Sequence, residues 1–200
     1  MRKYPGLTLL LLSLCGAALA ADEFKIDPAH SSVNFAVAHA GGVSTVVGRF
    51  TQFEGKIVFD DKDVIKSSVN VAIKTASINT DVAPRDNDLR SPRFFDVEKF
   101  PEITFQSKSV EKKGNDYVAH GTLTIHGVSK EVDLPFEMKG PVDAGQNRGK
   151  VIGAHASLTI NRVDYGVGQA TPMIGSDAKL DLYVEARMAP PAPASATPGK

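Results

Sequence analysis

One cysteine occurs in the 200 residues, Cys15, and it lies within the first twenty. Once that segment is removed the chain has no thiol nucleophile and no disulfide, so packing alone must hold the fold. An excess of one charge is also missing, since 23 Lys and Arg balance 23 Asp and Glu. Losing Arg2 and Lys3 with the first twenty residues leaves 21 bases against 23 acids, a charge of −2. Nothing in that balance suits nucleic acid as a partner. No segment reaches the ~20 apolar residues that a membrane-spanning helix needs, so no transmembrane span is expected. The chain also lacks a GxSxG elbow and a phosphate-cradling glycine loop. Its histidines (His30, His39, His120, His126 and His155) show no HxH or HxxxH spacing, so no metal centre is expected.

The two ends stand apart from the rest. Arg2 and Lys3, the apolar run Leu7 to Leu14 and the small-x-small sequence Ala18-Leu19-Ala20 read as a secretory leader over residues 1–20, cleaved after Ala20. Lipoprotein processing at Cys15 is the weaker reading, because Leu14 before it is not small. Residues 189–200 are rich in Pro and Ala and read as a disordered tail. A folded domain over 22–188, secreted through that leader, is the expectation.

Between the ends, period-two alternation dominates. Val33, Phe35, Val37 and His39 share one face; Ile57 and Phe59 share another opposite Lys56 and Asp60. Val69, Val71 and Ile73 alternate with Ser68, Asn70 and Lys74, and Val132, Leu134, Phe136 and Met138 with Glu131, Asp133, Glu137 and Lys139. Leu180, Leu182 and Val184 repeat the pattern. Such strands have one dry and one wet face and join antiparallel. Long strands with glycines at Gly48 and Gly55 favour a barrel of about eight strands over a sandwich. The sidedness follows from charge. Lys or Arg facing lipid near the midplane costs ~2–4 kcal/mol each, so the charged faces meet water and the apolar faces point inward.

An eight-stranded barrel either fills its interior or keeps a cavity for one small ligand. Val33, Phe35, Val37, Phe59, Val69, Val71, Ile73, Phe94, Phe95, Phe105, Leu134 and Phe136 are candidates for such a lining, and equally for plain core. Each buried CH₂ contributes ~0.8 kcal/mol, against an association cost of about 4–15 kcal/mol. An apolar lumen therefore selects long tails. The stretch "RDNDLRSPRFFDVEKF" (85–100) holds the only helical material expected in the domain. Asp86 or Asn87 is suited to cap one short turn and Ser91-Pro92 to begin another, giving a lid that carries Leu89, Phe94 and Phe95. Arg85, Arg90 and Arg93 with Asp86, Asp88 and Asp96 are expected at the rim, either as ion pairs or as head-group contacts. His39, Arg85, Asp88 and Arg90 are the head-group candidates.

The blocks "IDPAHSSVNFAVAHAGGVSTVVGRFTQFEGKIVFD", "RDNDLRSPRFFDVEKFPEITFQS", "GTLTIHGVSKEVDLPFEMKG" and "NRVDYGVG" resemble, in this order, the YceI-like family from Phe24 to Ala186. The resemblance implies a lipocalin-like extended antiparallel barrel with a short helical lid, secreted to the periplasm. It also implies a hydrophobic tunnel for a polyisoprenoid, quinone or fatty amide, and no defined reaction. This chain departs from the family pattern at Asp88, where many members carry His, and near Phe24, where a Tyr or Trp is common. An acid at Asp88 disfavours anionic head-groups and suits a neutral quinone or amide. No cofactor is expected apart from a bound isoprenoid quinone or other long-chain lipid. Two alternatives stay open: an enzyme acting on such a lipid through the Arg85–Asp88 lid, and a ligand-free structural module. Pairing into a homodimer is also left open.

Overall fold

Alternating sequences become strands, and in the computed structural model, which describes residues 21–145 and 148–188, they do so nearly throughout. The expected leader and tail lie outside the described residues. The strands are β1 (Asp22–Ile26), β2 (Ser32–His39), β3 (Ser44–Phe50), β4 (Phe53–Phe59), β5 (Ser68–Lys74), β6 (Ile78–Asn79), β7 (Glu102–Lys113), β8 (Asp116–Ile125), β9 (Val128–Asp143), β10 (Lys150–Asn161) and β11 (Ile174–Met188). A helix, α1 (Ala83–Arg90), stands between β6 and β7.

Eight of these strands close a ring, in the order β1-β4-β5-β7-β8-β9-β10-β11 and back to β1, with every pairing antiparallel. Closure removes the unpaired edges that an open sheet would expose. The chain between β1 and β2 makes a short 3₁₀ turn at Pro28–His30, capped by the Asp27 side chain, which accepts from the Ala29 N–H at 3.0 Å. Beyond that turn β2 stays on the same neighbour, β11, and brings β3 alongside. The sequence from Thr45 to Asp60 reads as nearly unbroken strand, but it is interrupted at Thr51–Gln52, where β3 leaves the ring that β4 completes. At Gly48, within β3, a Cβ would stand 2.4 Å from the Phe35 ring, so the lack of a side chain gives the ring space.

The break makes the two ends of the barrel unlike. At one end β1 and β11 seal the interior over a fully buried Phe24, with Ile26, Ile57, Ile152 and Ala186 packed around it. Burying Phe24 contributes ~2–3 kcal/mol. At the other end β3 has only the two-residue β6 on its outer side, and α1 with the turns that follow occupies the path to β7. Thr75 pins that path, donating from its N–H to Pro101 O at 3.0 Å and from Oγ1 to Phe100 O at 2.7 Å.

Candidate ligand-binding site

The lid forms for reasons the sequence only partly displays. Pro84 enters the first turn of α1, where a missing N–H costs nothing. Asp86 does not cap the helix from outside, nor does it sit at the rim. It lies within the first turn, is buried, and accepts from the Thr80 N–H at 2.9 Å and Thr80 Oγ1 at 2.5 Å. Ser91-Pro92 does not start a second helix. Residues 91–100 instead run through successive turns, with the Phe94 and Asp96 amides donating to Ser91 O. These turns direct Phe94 and Phe95 inward.

Under the lid lies an outer chamber of about 630 Å³. Phe35, Val37, Phe50, Leu89, Phe94, Phe95, Ile160 and Val167 form its apolar walls, and His39, Ser44, Thr45, Arg85, Asp88 and Arg162 supply the polar groups. A second, deeper chamber of about 150 Å³ follows toward the sealed end, walled by Val33, Val69, Val71, Ile73, Phe105, Leu134 and Phe136 among others. Phe50, Ile103, Ile125 and Leu180 border both, so the two chambers are adjacent within the barrel. Phe50 also links the aromatic wall, with its ring 5.8 Å from Phe35 and 5.8 Å, edge-on, from Phe95.

Eleven of the twelve apolar candidates thus border the lumen, and Phe59 does not. It stands at the last residue of β4, where its ring meets Tyr117 at 6.3 Å toward the sealed end. Of the polar candidates, His39, Arg85 and Asp88 border the outer chamber, and Arg90 does not. The Arg90 guanidinium donates to Ala76 O at 2.8 Å and Ile78 O at 2.6 Å, fastening α1 to the chain around β6. Arg85 is similarly engaged with Thr80 Oγ1 at 2.8 Å and Thr80 O at 3.0 Å. Among the described residues, Asp88 is the one head-group candidate in an ion pair, with the exposed Arg93 at 3.0 Å. The rim arginines are therefore mostly held by neutral oxygens rather than in a salt-bridge network.

The sequence reading missed Arg162. It is 6% exposed, borders the outer chamber, and has no carboxylate partner among the described residues. Its guanidinium donates to four carbonyls: Gly175 at 2.8 Å, Val167 at 2.6 Å, Gln169 at 2.9 Å and Ile174 at 3.2 Å. Burial pulls its pKa below the ordinary arginine value, and the four carbonyl dipoles offset that cost without cancelling the charge. The available signal was an arginine four residues ahead of the glycine-rich run Gly166 to Gly168, whose backbone turns around it.

Outside the barrel, Asp27, His30 and Glu185 are the one group among the described residues that brings three metal-ligating atoms within 4.8 Å. Arg187 reaches into it, donating to Asp27 at 3.0 Å and Glu185 at 2.5 Å. The His30 hydrogen bond, before the others, holds the Asp27 carboxyl below its usual pKa. A guanidinium already supplies the positive charge that these acids need.

A closed antiparallel barrel with an apolar, lidded lumen defines a hollow lipocalin-like protein. The YceI-like domain family matches residues 24–186, and the chain belongs to that family. Protein YceI of Salmonella arizonae is 39% identical over 183 residues, covering 90% of this chain and 94% of its own. Burkholderia cenocepacia BcnA superposes with a TM-score of 0.72 at 22% identity, over 80% of this chain and 98% of its own. A polyisoprenoid binding domain from Saccharophagus degradans superposes at 0.65 and 16% identity, over 84% of this chain and 99% of its own.

Proposed function

We propose that this protein is a periplasmic carrier that holds one long-chain amphiphile, with its tail in the two chambers and a neutral head-group under the lid. The observation that carries this reading is the adjacency of two apolar chambers in one barrel interior, which share four lining residues and together offer a tail more length than a compact ligand would use. The polar groups narrow the head. Asp88 disfavours an anion and the buried Arg162 charge disfavours a cation. A quinone or amide carbonyl, which accepts hydrogen bonds and bears no charge, satisfies both. The name of the S. degradans relative, a polyisoprenoid binding domain, supports an isoprenoid tail. Periplasmic delivery rests on the sequence of residues 1–20.

Catalysis is not part of this reading. Asp86 is committed to Thr80 and Asp88 to Arg93, so the two carboxylates do not act as a pair. The test is mass spectrometry of a solvent extract of the protein purified from its own host. A stoichiometric neutral long-chain amphiphile is expected. An extract without one, combined with failure to bind a dansyl-labelled long-chain amide, would sink the proposal.

A further inference from the structure

The rim of the outer chamber has one side free of charge. Residues 37–48 and 165–176, twelve in each stretch, contain no Asp, Glu, Lys or Arg in a chain that is 23% charged, where about five would be expected. The first stretch turns from β2 into β3 and the second leads into β11. Ala40 N–H donates to Met173 O at 2.8 Å, which joins the two turns into one edge. From that edge Val43 projects 88% exposed and Met173 55% exposed. His39, Ser44 and Ile174, on the same two turns, border the chamber itself. The lid segment is charged by contrast, with Asp81 before α1, Arg85 and Asp88 on it, and Arg93 after it.

We propose that this uncharged edge is a lip that docks on a phospholipid bilayer, so that long-chain cargo passes between membrane and chamber without crossing water. The proposal rests on the carrier reading above and adds the partner from which the carrier loads. Each methylene lowers aqueous solubility roughly fourfold, so a tail of a dozen carbons loses about ten-million-fold. Uptake from dissolved monomers would be correspondingly slow, and direct contact avoids it. A bilayer fits this edge better than a protein surface does. Val43 and Met173 project from turns that offer no charged group for pairing, and insertion of such a tip requires no ion to be desolvated.

The chain has no tryptophan, so a single introduced indole reports its own surroundings. In the full mature chain, Val43→Trp emission is expected to shift to the blue on adding phosphatidylethanolamine/phosphatidylcholine vesicles, and to be quenched by brominated acyl chains. Val142→Trp, at a position 59% exposed near the sealed end, is expected to show neither change. The double variant Val43→Asp/Met173→Asp should reduce the vesicle-bound fraction about tenfold or more. Both positions face solvent, so its far-ultraviolet spectrum and its affinity for the dansyl amide added without vesicles should stay as in the parent protein. An unshifted Val43→Trp spectrum, an equal shift at Val142→Trp, or undiminished vesicle binding by the double variant overturns the lip. If the dansyl amide binds and the spectrum stays unshifted, only the lip falls. If the parent protein does not bind the amide at all, the carrier reading falls and takes the cargo route with it.

Discussion

Filling the inner chamber should shorten the tail the protein can hold. Ala154 lies in mid-β10, borders that chamber, and pairs with Met138 and Val184 on the flanking strands. In Ala154→Phe the ring enters a space of about 150 Å³. At ~30 Å³ for each small group, that space accepts about four or five methylenes. Each contributes ~0.8 kcal/mol, so their exclusion costs ~3 kcal/mol, on the order of a hundredfold in affinity. A chamber of about 150 Å³ has room for the added ring, so the substitution fills available volume rather than overpacking a core, and thermal stability should hold or rise. The assay is displacement of the dansyl amide by primary amides of increasing chain length. In the parent protein affinity should climb with each carbon until both chambers are full. In Ala154→Phe it should climb equally at first and level off about four or five carbons sooner. Parallel curves of equal length in the two proteins would refute the idea that the inner chamber takes any part of the tail.

Arg162→Met should destabilise the fold by more than ~3 kcal/mol in chemical denaturation, because it strands four carbonyls that the guanidinium now satisfies. On the outer face, His120 Nδ1 lies 2.7 Å from Asp133 and Nε2 lies 3.5 Å from Glu111. The Asp133 hydrogen bond is the main cause that holds the imidazole pKa above its usual 6.5. A raised folded pKa contributes stability that is complete below the unfolded value and lost as pH rises through the folded one. The melting temperature should therefore fall as pH climbs from about 6.5 through that higher value. Asp133→Asn should flatten this slope.

The architecture was legible wherever one face of a strand meets water. β9 alternates Val132, Leu134, Phe136 and Met138 with charges, and that period alone gave its sidedness and the direction of its side chains. Parity does not tell where along a barrel a residue sits. Phe59 has the right parity, yet it ends its strand near the seal and borders neither chamber. The mouth was harder to read, because its polar groups are organised by backbone rather than by period. Asp86 is drawn inward by donors of Thr80, and Arg90 by the carbonyls of Ala76 and Ile78, and neither set of partners is marked by side-chain pattern. Arg162 went unnoticed for the same reason, since all four of its acceptors are main-chain oxygens.

The pairing of β1 with the last residues of β11 sets Phe24 directly opposite Met188. First and last strands of the domain are thus immediate neighbours, and the start of β1 and the end of β11 lie together on the side away from the opening. The polypeptide is close to a loop in space, so joining those ends and cutting at the tip of a distant hairpin should leave the architecture unchanged. A tag or partner attached beside Asp22 or Met188 would likewise ride behind the barrel, clear of the lidded mouth.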